Sequence, residues 1–524
     1  MPVSNLQLRV APETAYQPEQ LKVAASTALG IDVNRIKATE IRRRSIDARQ
    51  RRVMVNLSVD VHVDEKSPFY EPELPSYPAL PPGAPQAIIV GAGPAGLFAA
   101  LELLENGIRP ILLERGKDVD SRRRDMARIA REGVVDPESN YCFGEGGAGA
   151  FSDGKLYTRS KKRGSVDKVL AILWKHGASR DILVDAHPHI GTDRLPEVIK
   201  SIRNFIITQG GEVHFGTCVS DLILSSDGKE VTGVITRDGK HWNGPVILAT
   251  GHSARDVYRA LDSRGIEIEP KGIAVGVRLE HPQQLIDSIQ YHNPRGRGKY
   301  LPAAEYSMLT RVDGRAVYSF CMCPGGFIIP AASEPGQLVV NGMSPSSRGT
   351  KWANSGMVVE VLPEDLDDQY DASDRLKVMK FQEDIERRFF EEGDGSQNAP
   401  AQRMTDFVAS RASKSLPSTS YAPGIHPARI DRLLPAPIAR RLQKGLEEFG
   451  RKSRGFLSPE ATLIGAETRT SSPVRIPRDP AKLHHVGLKG LYPSGEGAGY
   501  AGGIVSAAID GQRSAQALAE ELAK

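Results

Sequence analysis

A glycine-rich turn between two apolar segments is the strongest constraint on how this chain can fold. Residues 86–115 read QAIIVGAGPAGLFAALELLENGIRPILLER, in which Gly91, Gly93 and Gly96 have the spacing G-x-G-x-x-G. The apolar run Ala87–Val90 precedes the turn, and a helix-like apolar segment follows it. A strand, a glycine turn and a helix in this order form the phosphate-binding unit of dinucleotide-binding folds, so we predict such a unit here.

The three glycines have separate physical roles in a unit of this kind. Gly91 permits the tight turn, Gly93 lets the backbone approach a pyrophosphate, and Gly96 lets the helix pack on the strand. The helix over Leu97–Glu105 then directs its free N–H groups and its positive dipole end at the phosphates. The predicted cofactor contacts in this unit are Gly91, Gly93, Ala95 and Gly96.

An acidic residue follows the second predicted strand. The strand covers Ile111–Leu113, and Glu114 stands at its end, 18 residues after Gly96. A carboxylate at this place accepts hydrogen bonds from ribose hydroxyls and repels a 2′-phosphate. We therefore predict that Glu114 and the adjacent Arg115 contact the adenosine part of a dinucleotide. The motif by itself does not distinguish FAD from NAD.

Length, charge and cysteine content limit the possible classes of protein. A chain of 524 residues is too long for one compact core. Its 68 basic and 64 acidic residues nearly balance, which does not favour a nucleic-acid partner. Four cysteines are too few for a disulfide framework, and the sequence shows neither a secretory signal nor the ~20-residue apolar run of a membrane span. We expect a cytoplasmic protein with a small-molecule substrate; its oligomeric state is left open.

Changes in composition divide the chain into a series of predicted parts. Residues 1–66 follow the order strand, helix, strand, strand, which predicts a small ferredoxin-like α+β module. Residues 67–85 contain seven prolines and should form an extended linker. Residues 86–261 and 461–524 form a discontinuous dinucleotide-binding domain, and residues 262–460 an inserted domain for the substrate. The predicted fold class is α/β: a Rossmann-like domain with an inserted α+β domain and the small leading module.

The leading module carries an arginine-rich segment between its last two strands. Residues 41–52 read IRRRSIDARQRR. Such a run can bind an anion or a nucleic acid, but it is more often a hairpin whose charges face water. We favour the hairpin.

The second half of the dinucleotide-binding region bears on the identity of the dinucleotide. A β-meander over 219–236 precedes a buried strand, Val246–Ala249, and a glycine loop over 494–503 precedes the closing helix. This combination resembles the flavoproteins with two dinucleotide-binding domains, and the resemblance implies FAD. It also implies that the closing helix directs its positive end at the flavin. The contacts that it implies are Val219, Thr250, Gly251, Gly495, Glu496 and Gly503.

Six longer segments narrow the resemblance. They are NYCFGEGGAGAFSDGKLYTR (140–159), ATGHSARD (249–256), IAVGVRLEHPQ (273–283), YSFCMCPGGFIIPA (318–331), ETRTSSPVRI (467–476) and YPSGEGAGYAGG (492–503). They resemble the FAD-utilising dehydrogenases, also called NAD(P)/FAD-dependent oxidoreductases. The resemblance spans nearly the whole chain and implies FAD, with NAD(P)H as a candidate transient electron donor. It does not identify a substrate.

A glycine-dense loop over Cys142–Gly154 is a further candidate for contact with the cofactor. Open loops of this kind present backbone N–H groups that can hold a phosphate or a flavin ring. We predict contacts from Gly147, Gly149 and Ser152. The alternative is a glycine-rich turn without a ligand.

Two short segments supply the candidate catalytic residues. Cys321 and Cys323 are two positions apart, so in a strand both should face one side. They are either a redox-active pair or, as we favour, two buried apolar thiols. Glu467, Arg469 and Ser471 also alternate and should share one face beside the flavin, with Arg469 holding a substrate carboxylate. The alternative is an internal Glu–Arg pair that braces the domain junction.

His252 follows the buried strand Val246–Ala249. It is either an acid–base residue or, more commonly for a histidine at the start of a helix, a residue bonded to the backbone.

These observations predict an FAD-dependent oxidoreductase, of the dehydrogenase type, that transfers a hydride at flavin N5. Glu467, Arg469 and Cys321 are the candidate catalytic residues. Two alternatives remain open: an RNA-associated flavoprotein that docks through the basic module, and a non-catalytic FAD-bearing sensor or scaffold.

Overall fold

The structure of the protein is a computed structural model that describes residues 4–65, 70–158 and 164–524. Parts of two predicted segments lie outside the described residues. They are residues 1–3 and 66 of the leading module and residues 67–69 of the linker. The linker residues from 70 to 85 contain no helix or strand, in agreement with their proline content.

Strands and helices are mixed along the chain. The strands are β1 (Ser4–Val10), β2 (Ile36–Asp47), β3 (Met54–Val63), β4 (Gln86–Val90), β5 (Arg109–Leu113), β6 (Glu212–His214), β7 (Val219–Leu224), β8 (Val231–Thr236), β9 (His241–Asn243), β10 (Val246–Leu248), β11 (Glu269–Pro270), β12 (Ile273–Pro282), β13 (Leu309–Val312), β14 (Arg315–Cys323), β15 (Phe327–Pro330), β16 (Val340–Met343), β17 (Trp352–Val361), β18 (Ala399–Arg403), β19 (Ile425–Pro427), β20 (Thr462–Glu467), β21 (Val474–Arg475) and β22 (Leu491–Pro493). The helices are α1 (Pro12–Tyr16), α2 (Pro18–Leu29), α3 (Pro94–Glu105), α4 (Val119–Glu132), α5 (Val166–Lys175), α6 (Leu195–Thr208), α7 (Arg255–Ser263), α8 (Gln283–Gln290), α9 (Lys377–Glu392), α10 (Met404–Val408), α11 (Ile430–Leu433), α12 (Ala436–Lys452) and α13 (Ile504–Leu522).

The leading module is a three-stranded antiparallel sheet in the order β1-β3-β2, covered by α1 and α2. The alternating apolar residues of β3, among them Val55 and Val59, are fully buried on one face. They pack against Leu21 and Ala25 of α2. The helix ends at Gly30, whose φ of +67° is the left-handed conformation that favours glycine. The predicted order of strand, helix, strand and strand is confirmed.

The arginine-rich segment is only in part the predicted solvated hairpin. Strand β2 continues to Asp47, so Arg42, Arg43 and Arg44 belong to the sheet, and the turn is confined to residues 48–53. Arg44 donates from Nε to Asp185 over 2.7 Å and from Nη2 to Asp181 over 3.0 Å. These bonds join the module to the segment after α5. The acidic partners lie far away along the sequence, so the local charge pattern does not show them.

Arg44→Ala should remove the hydrogen bonds to Asp181 and Asp185. Hydrogen bonds to charged groups contribute about 1.5–3 kcal/mol each when partly shielded from water, and the Arg44 side chain is 14% exposed. We expect a loss of about 2 kcal/mol in the free energy of unfolding, measured by chemical denaturation. Arg51→Ala, in the exposed turn, is the control and should change it by under about 0.5 kcal/mol. Equal losses in both variants would contradict the assignment.

A five-stranded parallel sheet in the order β22-β10-β4-β5-β6 forms the predicted dinucleotide-binding unit. The predicted strands at residues 87–90, 111–113 and 246–249 are confirmed to within two residues. Helix α3 packs on α13, where a Cβ on Gly511 would lie 2.0 Å from the backbone oxygen of Ala95. The β-meander is also confirmed, as the sheet β7-β8-β9.

Helix α4 has no counterpart in the sequence prediction. Its sequence, VDSRRRDMARIARE, is dominated by charged residues, and its buried apolar contacts are Val119, Met126 and Ile129. Asp118 caps its N-terminus by accepting bonds from the N–H groups of Asp120 and Ser121. The cap and the i, i+3 spacing of the last two apolar residues are the signals that identify this helix.

A seven-stranded sheet forms the second large layer, in the order β13-β14-β17-β12-β20-β18-β19. Strand β12 is central and fully buried along most of its length. Helix α12 packs across β12, β14 and β17. Strand β20 pairs with both β12 and β18, so this sheet continues to Glu467, beyond the boundary predicted at residue 460. Among the described residues, no helix is both long and apolar enough to cross a membrane.

Candidate cofactor site

A cavity of about 370 Å³ lies where the two large sheets meet. Val90, Leu113 and Ala249, at the carboxyl ends of β4, β5 and β10, form one wall. Phe320 and Cys321 of β14 line the other side. Open α/β sheets bind their ligands outside the carboxyl ends of the strands, so this cavity has the position of a ligand site.

Most of the predicted cofactor contacts line this one cavity, although they come from five separate parts of the chain. They are Gly91, Gly93, Ala95, Glu114, Arg115, Gly147, Gly149, Ser152, Val219, Thr250, Gly251, Glu496 and Gly503. Gly96 and Gly495 serve packing instead. A Cβ on Gly96 would lie 1.9 Å from the Gly91 oxygen, and a Cβ on Gly495 would lie 2.8 Å from that of Ala95.

Two helix N-termini open into the cavity. Helix α3 begins after Gly93 and α13 begins after Gly503, and neither end has a side-chain cap. Their first N–H groups therefore remain available to a ligand, together with the positive ends of both dipoles. This arrangement suits a ligand that carries negative charge at two separated places, as FAD does at its pyrophosphate and at its reduced ring.

Glycines on the wall of the cavity leave space where other residues would place a side chain. A Cβ added to Gly93 would meet no protein atom closer than the Gly147 Cα at 3.9 Å, and one on Gly251, Gly502 or Gly503 would meet none within 4 Å. These side-chain positions point into open space, which a bound ligand can fill. Buried Asp153 also lines the cavity, and its Oδ1 has no hydrogen-bond partner in the described part of the chain. The residues present therefore fit FAD.

Glu114 has a structural role in addition to the predicted one. Its carboxylate accepts from the backbone N–H of Ala92 at 2.8 Å, of Gly116 at 2.9 Å and of Gly144 at 3.0 Å. It thereby ties the glycine turn to the glycine-dense loop. A carboxylate has about four acceptor positions, so one remains for a ribose hydroxyl.

Arg115 is held in place beside this carboxylate. It pairs with Glu138 and Asp256, each at 2.9 Å, and its guanidinium lies 4.5 Å from the centre of the Phe143 ring. A planar cation fixed in this way lines the cavity with a flat face suited to adenine.

Arg469 lines the cavity, but it is not free to bind a substrate carboxylate. Its guanidinium donates to both oxygens of Glu386, at 3.2 Å and 3.0 Å, to Gln337 at 2.9 Å and to Ser333. Glu386 is fully buried and also receives two bonds of 2.9 Å from Arg255. The predicted bidentate hold on a substrate is therefore wrong, because the buried glutamate already occupies that face of Arg469.

Glu467 is the last residue of β20 and is buried in the seven-stranded sheet. It is 2% exposed and accepts from Nη1 of Arg278 at 3.3 Å. Burial raises the pKa of Glu467 to about 7 in spite of this partner. The predicted common face of Glu467, Arg469 and Ser471 is thus wrong: the strand ends at Glu467, and the alternation ends with it. The alternative, in which Glu467 and Arg469 form bracing ion pairs, holds with different partners. Glu467 pairs with Arg278 and Arg469 pairs with Glu386.

Cys321 and Cys323 do not face one side of a strand. The pairing of β14 with β17 shifts between Phe320 and Cys323, and Cys321 has a φ of +45°. The irregularity turns Cys321 toward the cavity, whereas Cys323 is fully buried. Both are free thiols. The prediction assumed regular alternation, which a bulge removes.

His252 lines the cavity with its Nε2 3.8 Å from Oε1 of Glu496. Burial, assisted by the charges of Arg469 and Arg255, lowers its pKa to about 4. The imidazole is therefore neutral at physiological pH.

This lowered pKa predicts a loss of stability in mild acid. A histidine whose pKa is lower in the folded state stabilises the fold above about pH 6.5, and the contribution disappears as the pH falls toward 4. One pKa unit corresponds to about 1.4 kcal/mol, so the loss is roughly 3 kcal/mol. His252→Gln should lack this part of the pH dependence when the free energy of unfolding is measured from pH 7 to pH 4. His241→Gln, an exposed histidine in β9, should follow the native protein; identical curves for both variants would refute the assignment.

Several residues of the site carry no sequence signal of their own. Lys155, Tyr157 and Asn341 also line the cavity, and Arg278 and Glu386 hold its charged residues. Lys155, Tyr157 and Arg278 lie inside segments that carry the family resemblance, and this resemblance is the signal that points to them. Asn341 and Glu386 lie outside those segments, and only the fold brings them to the site.

A second cavity of about 820 Å³ adjoins the first. The two share the lining residues Tyr157, Cys321, Gly502 and Gly503. The second also contains two cationic side chains, Lys271 and Arg475. In the described part of the chain, no group of three or more His, Cys, Asp or Glu side chains is placed to hold a metal ion.

Comparison with known proteins agrees with this geometry. Residues 85–128 match a family described as an FAD binding domain, and residues 272–470 match the family "FAD-dependent protein, C-terminal domain-like". Residues 1–62 match a domain of unknown function.

Solved structures and a curated relative complete the comparison. A geranylgeranyl bacteriochlorophyll reductase-like protein of Thermoplasma acidophilum is 13% identical, with 84% of this chain and 80% of that chain covered and a TM-score of 0.35. A flavin-dependent brominase is 14% identical, with 83% and 79% covered and a TM-score of 0.37.

An uncharacterized protein of Clostridium beijerinckii is 41% identical over 510 residues, which cover 94% of this chain and 93% of that protein. The chain belongs to the same family as this protein, a family of FAD-utilising flavoproteins.

Proposed function

We propose that the protein is an FAD-dependent oxidoreductase of the dehydrogenase type, in which two electrons pass between a small molecule and flavin N5. The observation that carries the proposal is the convergence of two uncapped helix N-termini, at Gly93 and Gly503, on one glycine-walled cavity. FAD, when bound, supplies the two-electron acceptor. The division of the chain into leading module, linker, discontinuous FAD-binding domain and inserted substrate domain is part of the same proposal.

The chain's own residues would bind the cofactor in an extended form. The N–H groups at the start of α3 would hold the pyrophosphate, and Glu114, Arg115 and Val219 would surround the adenosine. The start of α13 at Gly503 would face the ring and stabilise the negative charge of its reduced form. The seven-stranded sheet closes the ring end of the cavity and excludes water from it.

The second cavity favours an anionic substrate. Lys271 and Arg475 supply two positive charges, and the shared residues Cys321 and Gly503 connect this space with the ring end of the first cavity. Burial lowers the pKa of Lys271, and a bound anion would raise it again by stabilising the charged form. We propose that the substrate is a small carboxylate or another small anion. NAD(P)H, if it is the donor, would reach the flavin through the same opening.

An anaerobic reduction screen tests this function. The FAD-loaded protein is mixed with NADH, NADPH or small carboxylates, and the flavin absorbance is followed. We expect bleaching by at least one of these donors, and about a tenfold weaker half-saturation for an anionic donor in Lys271→Met. Lys482→Met, an exposed lysine away from the cavities, is the control. Full saturation with all donors without bleaching would contradict the oxidoreductase and favour the sensor or scaffold.

The RNA-docking alternative finds no support in the arginine-rich segment. Arg42, Arg44 and Arg49 are paired with carboxylates of the protein itself. Charges neutralised in this way contribute less to phosphate binding.

A further inference from the structure

We propose that Cys321 and Cys323 form a redox-active dithiol that exchanges two electrons with FAD bound in the cavity. The inference rests on FAD binding at this site and adds a second electron store to the proposed oxidoreductase.

The backbone brings one thiol to the cavity and keeps the other directly behind it. Cys321 lines both the first and the second cavity, at the place where they join. Cys323 is fully buried, and its Sγ lies 3.3 Å from the Cys321 carbonyl oxygen. The two thiols are therefore adjacent, and one of them faces the ligand space.

The conformation that produces this arrangement is unfavourable by itself. A φ of +45° lies in the left-handed region, which is unfavourable for a residue other than glycine, and such residues concentrate at functional sites. Two buried thiols that act only as small apolar side chains require neither this conformation nor a place on the cavity wall. The geometry thus favours the redox pair over the apolar pair.

Positive charges surround the two sulfur atoms. Arg278 donates from Nη2 to the Cys321 oxygen at 2.7 Å and to the Cys323 Sγ at 3.3 Å. Lys155 donates to the Met322 carbonyl between them. The adjacent Cys323 side chain lowers the pKa of the Cys321 thiol well below its ordinary value, and the charges of Lys155 and Arg278 add to this effect, whereas burial of the thiol opposes it.

Acidic groups near Cys321 act in the opposite direction. They are Asp153, Glu467 and Glu496. The net effect favours the Cys321 thiolate, which is the reactive form of a cysteine.

The proposed exchange balances in atoms and electrons. The two thiols lose two protons and two electrons as the bond forms between the Cys321 and Cys323 sulfurs. FAD, when bound, would accept these two electrons and two protons. In the reverse direction, the Cys321–Cys323 disulfide would accept two electrons and two protons from reduced FAD and return to two thiols. Electrons enter or leave through the small-molecule substrate.

Anaerobic reductive titration with dithionite tests the inference on the FAD-loaded full-length protein. The protein is first oxidised with diamide, a thiol oxidant, which is then removed. We expect the native protein to consume two equivalents of dithionite per FAD, one for the flavin and one for the disulfide. Cys321→Ser and Cys323→Ser should each consume one equivalent. Cys142→Ser, which removes a cavity thiol without a neighbouring thiol, should consume two.

Thiol alkylation followed by mass spectrometry gives an independent readout that needs no variant. In the diamide-treated native protein, Cys142 and Cys218 should be alkylated, and the peptide with Cys321 and Cys323 should be two hydrogen masses lighter and unmodified. Consumption of one equivalent by the native protein, with all four of its cysteines alkylated, would overturn the inference. Both results presuppose bound FAD, so loss of the flavin spectrum would instead point to failure of the cofactor site.

Discussion

Gly93→Ala should weaken FAD binding about a hundredfold while the protein itself remains folded. The backbone of Gly93 is extended, with a φ of −76°, so alanine can adopt its conformation without strain. The added methyl would have no protein atom within 3.8 Å, since the nearest is the Gly147 Cα at 3.9 Å. It would instead occupy the space of the pyrophosphate at the start of α3. A hundredfold loss corresponds to about 2.7 kcal/mol, and fluorescence titration of the apoprotein with FAD measures it.

Gly96→Ala is the matched variant because its methyl meets the protein rather than the ligand. The new Cβ would lie 1.9 Å from the Gly91 oxygen, which forces the helix away from the turn. We expect the apoprotein to lose about 1–3 kcal/mol or more in its free energy of unfolding, which Gly93→Ala should not lose. FAD affinity equal to that of the native protein in Gly93→Ala would contradict the placement of the pyrophosphate.

Glu386→Ala should be among the most destabilising single substitutions in this chain. Burial tends to raise the pKa of Glu386, but Arg255 and Arg469 outweigh it and lower the pKa to about 2. Removal of the carboxylate leaves these two buried guanidinium groups without their shared anion. Breaking a buried ion pair in this way costs about 3–5 kcal/mol, which chemical denaturation at pH 7 measures.

Two further variants separate charge from shape at this position. Glu386→Gln keeps the shape and most of the packing of the side chain. A loss of unfolding free energy close to that of Glu386→Ala would therefore assign the effect to the charge. Glu391→Ala removes an exposed carboxylate from the same helix and should change stability by less than about 0.5 kcal/mol. If Glu386→Ala also behaved like Glu391→Ala, the buried network around Arg469 would not exist as described.

The parts of the site that could be predicted from sequence are those that depend on local backbone geometry. Gly91 and Gly96 are required within one turn and one helix, so their spacing alone predicts the turn and the start of the helix. The position of Glu114 at the cavity is also predictable, because it directly follows a strand of the same unit. Its bonds to Gly116 and Gly144 were not foreseen, since they depend on how the later loop folds back over the turn.

The roles of the charged residues do not follow from the sequence, because their partners lie far away along the chain. Arg278 and Glu467 are 189 residues apart, and Glu386 and Arg469 are 83 residues apart. The alternation predicts that Glu467 and Arg469 face the cofactor. A buried charge without a partner of opposite charge is strongly unfavourable, however. Each therefore pairs with an opposite charge from another element. The orientation of Cys321 does not follow from the sequence for a different reason. A spacing of two residues does not reveal the irregularity in the strand that turns this side chain.

A crystal structure of the protein with FAD is the most direct test of the central claim. The account predicts the pyrophosphate against the start of α3 at Gly93–Ala95, the adenosine beside Glu114, and the isoalloxazine ring between Gly503 and Cys321. Density for the ring at the Glu114 end, or for the cofactor outside this cavity, would contradict the account.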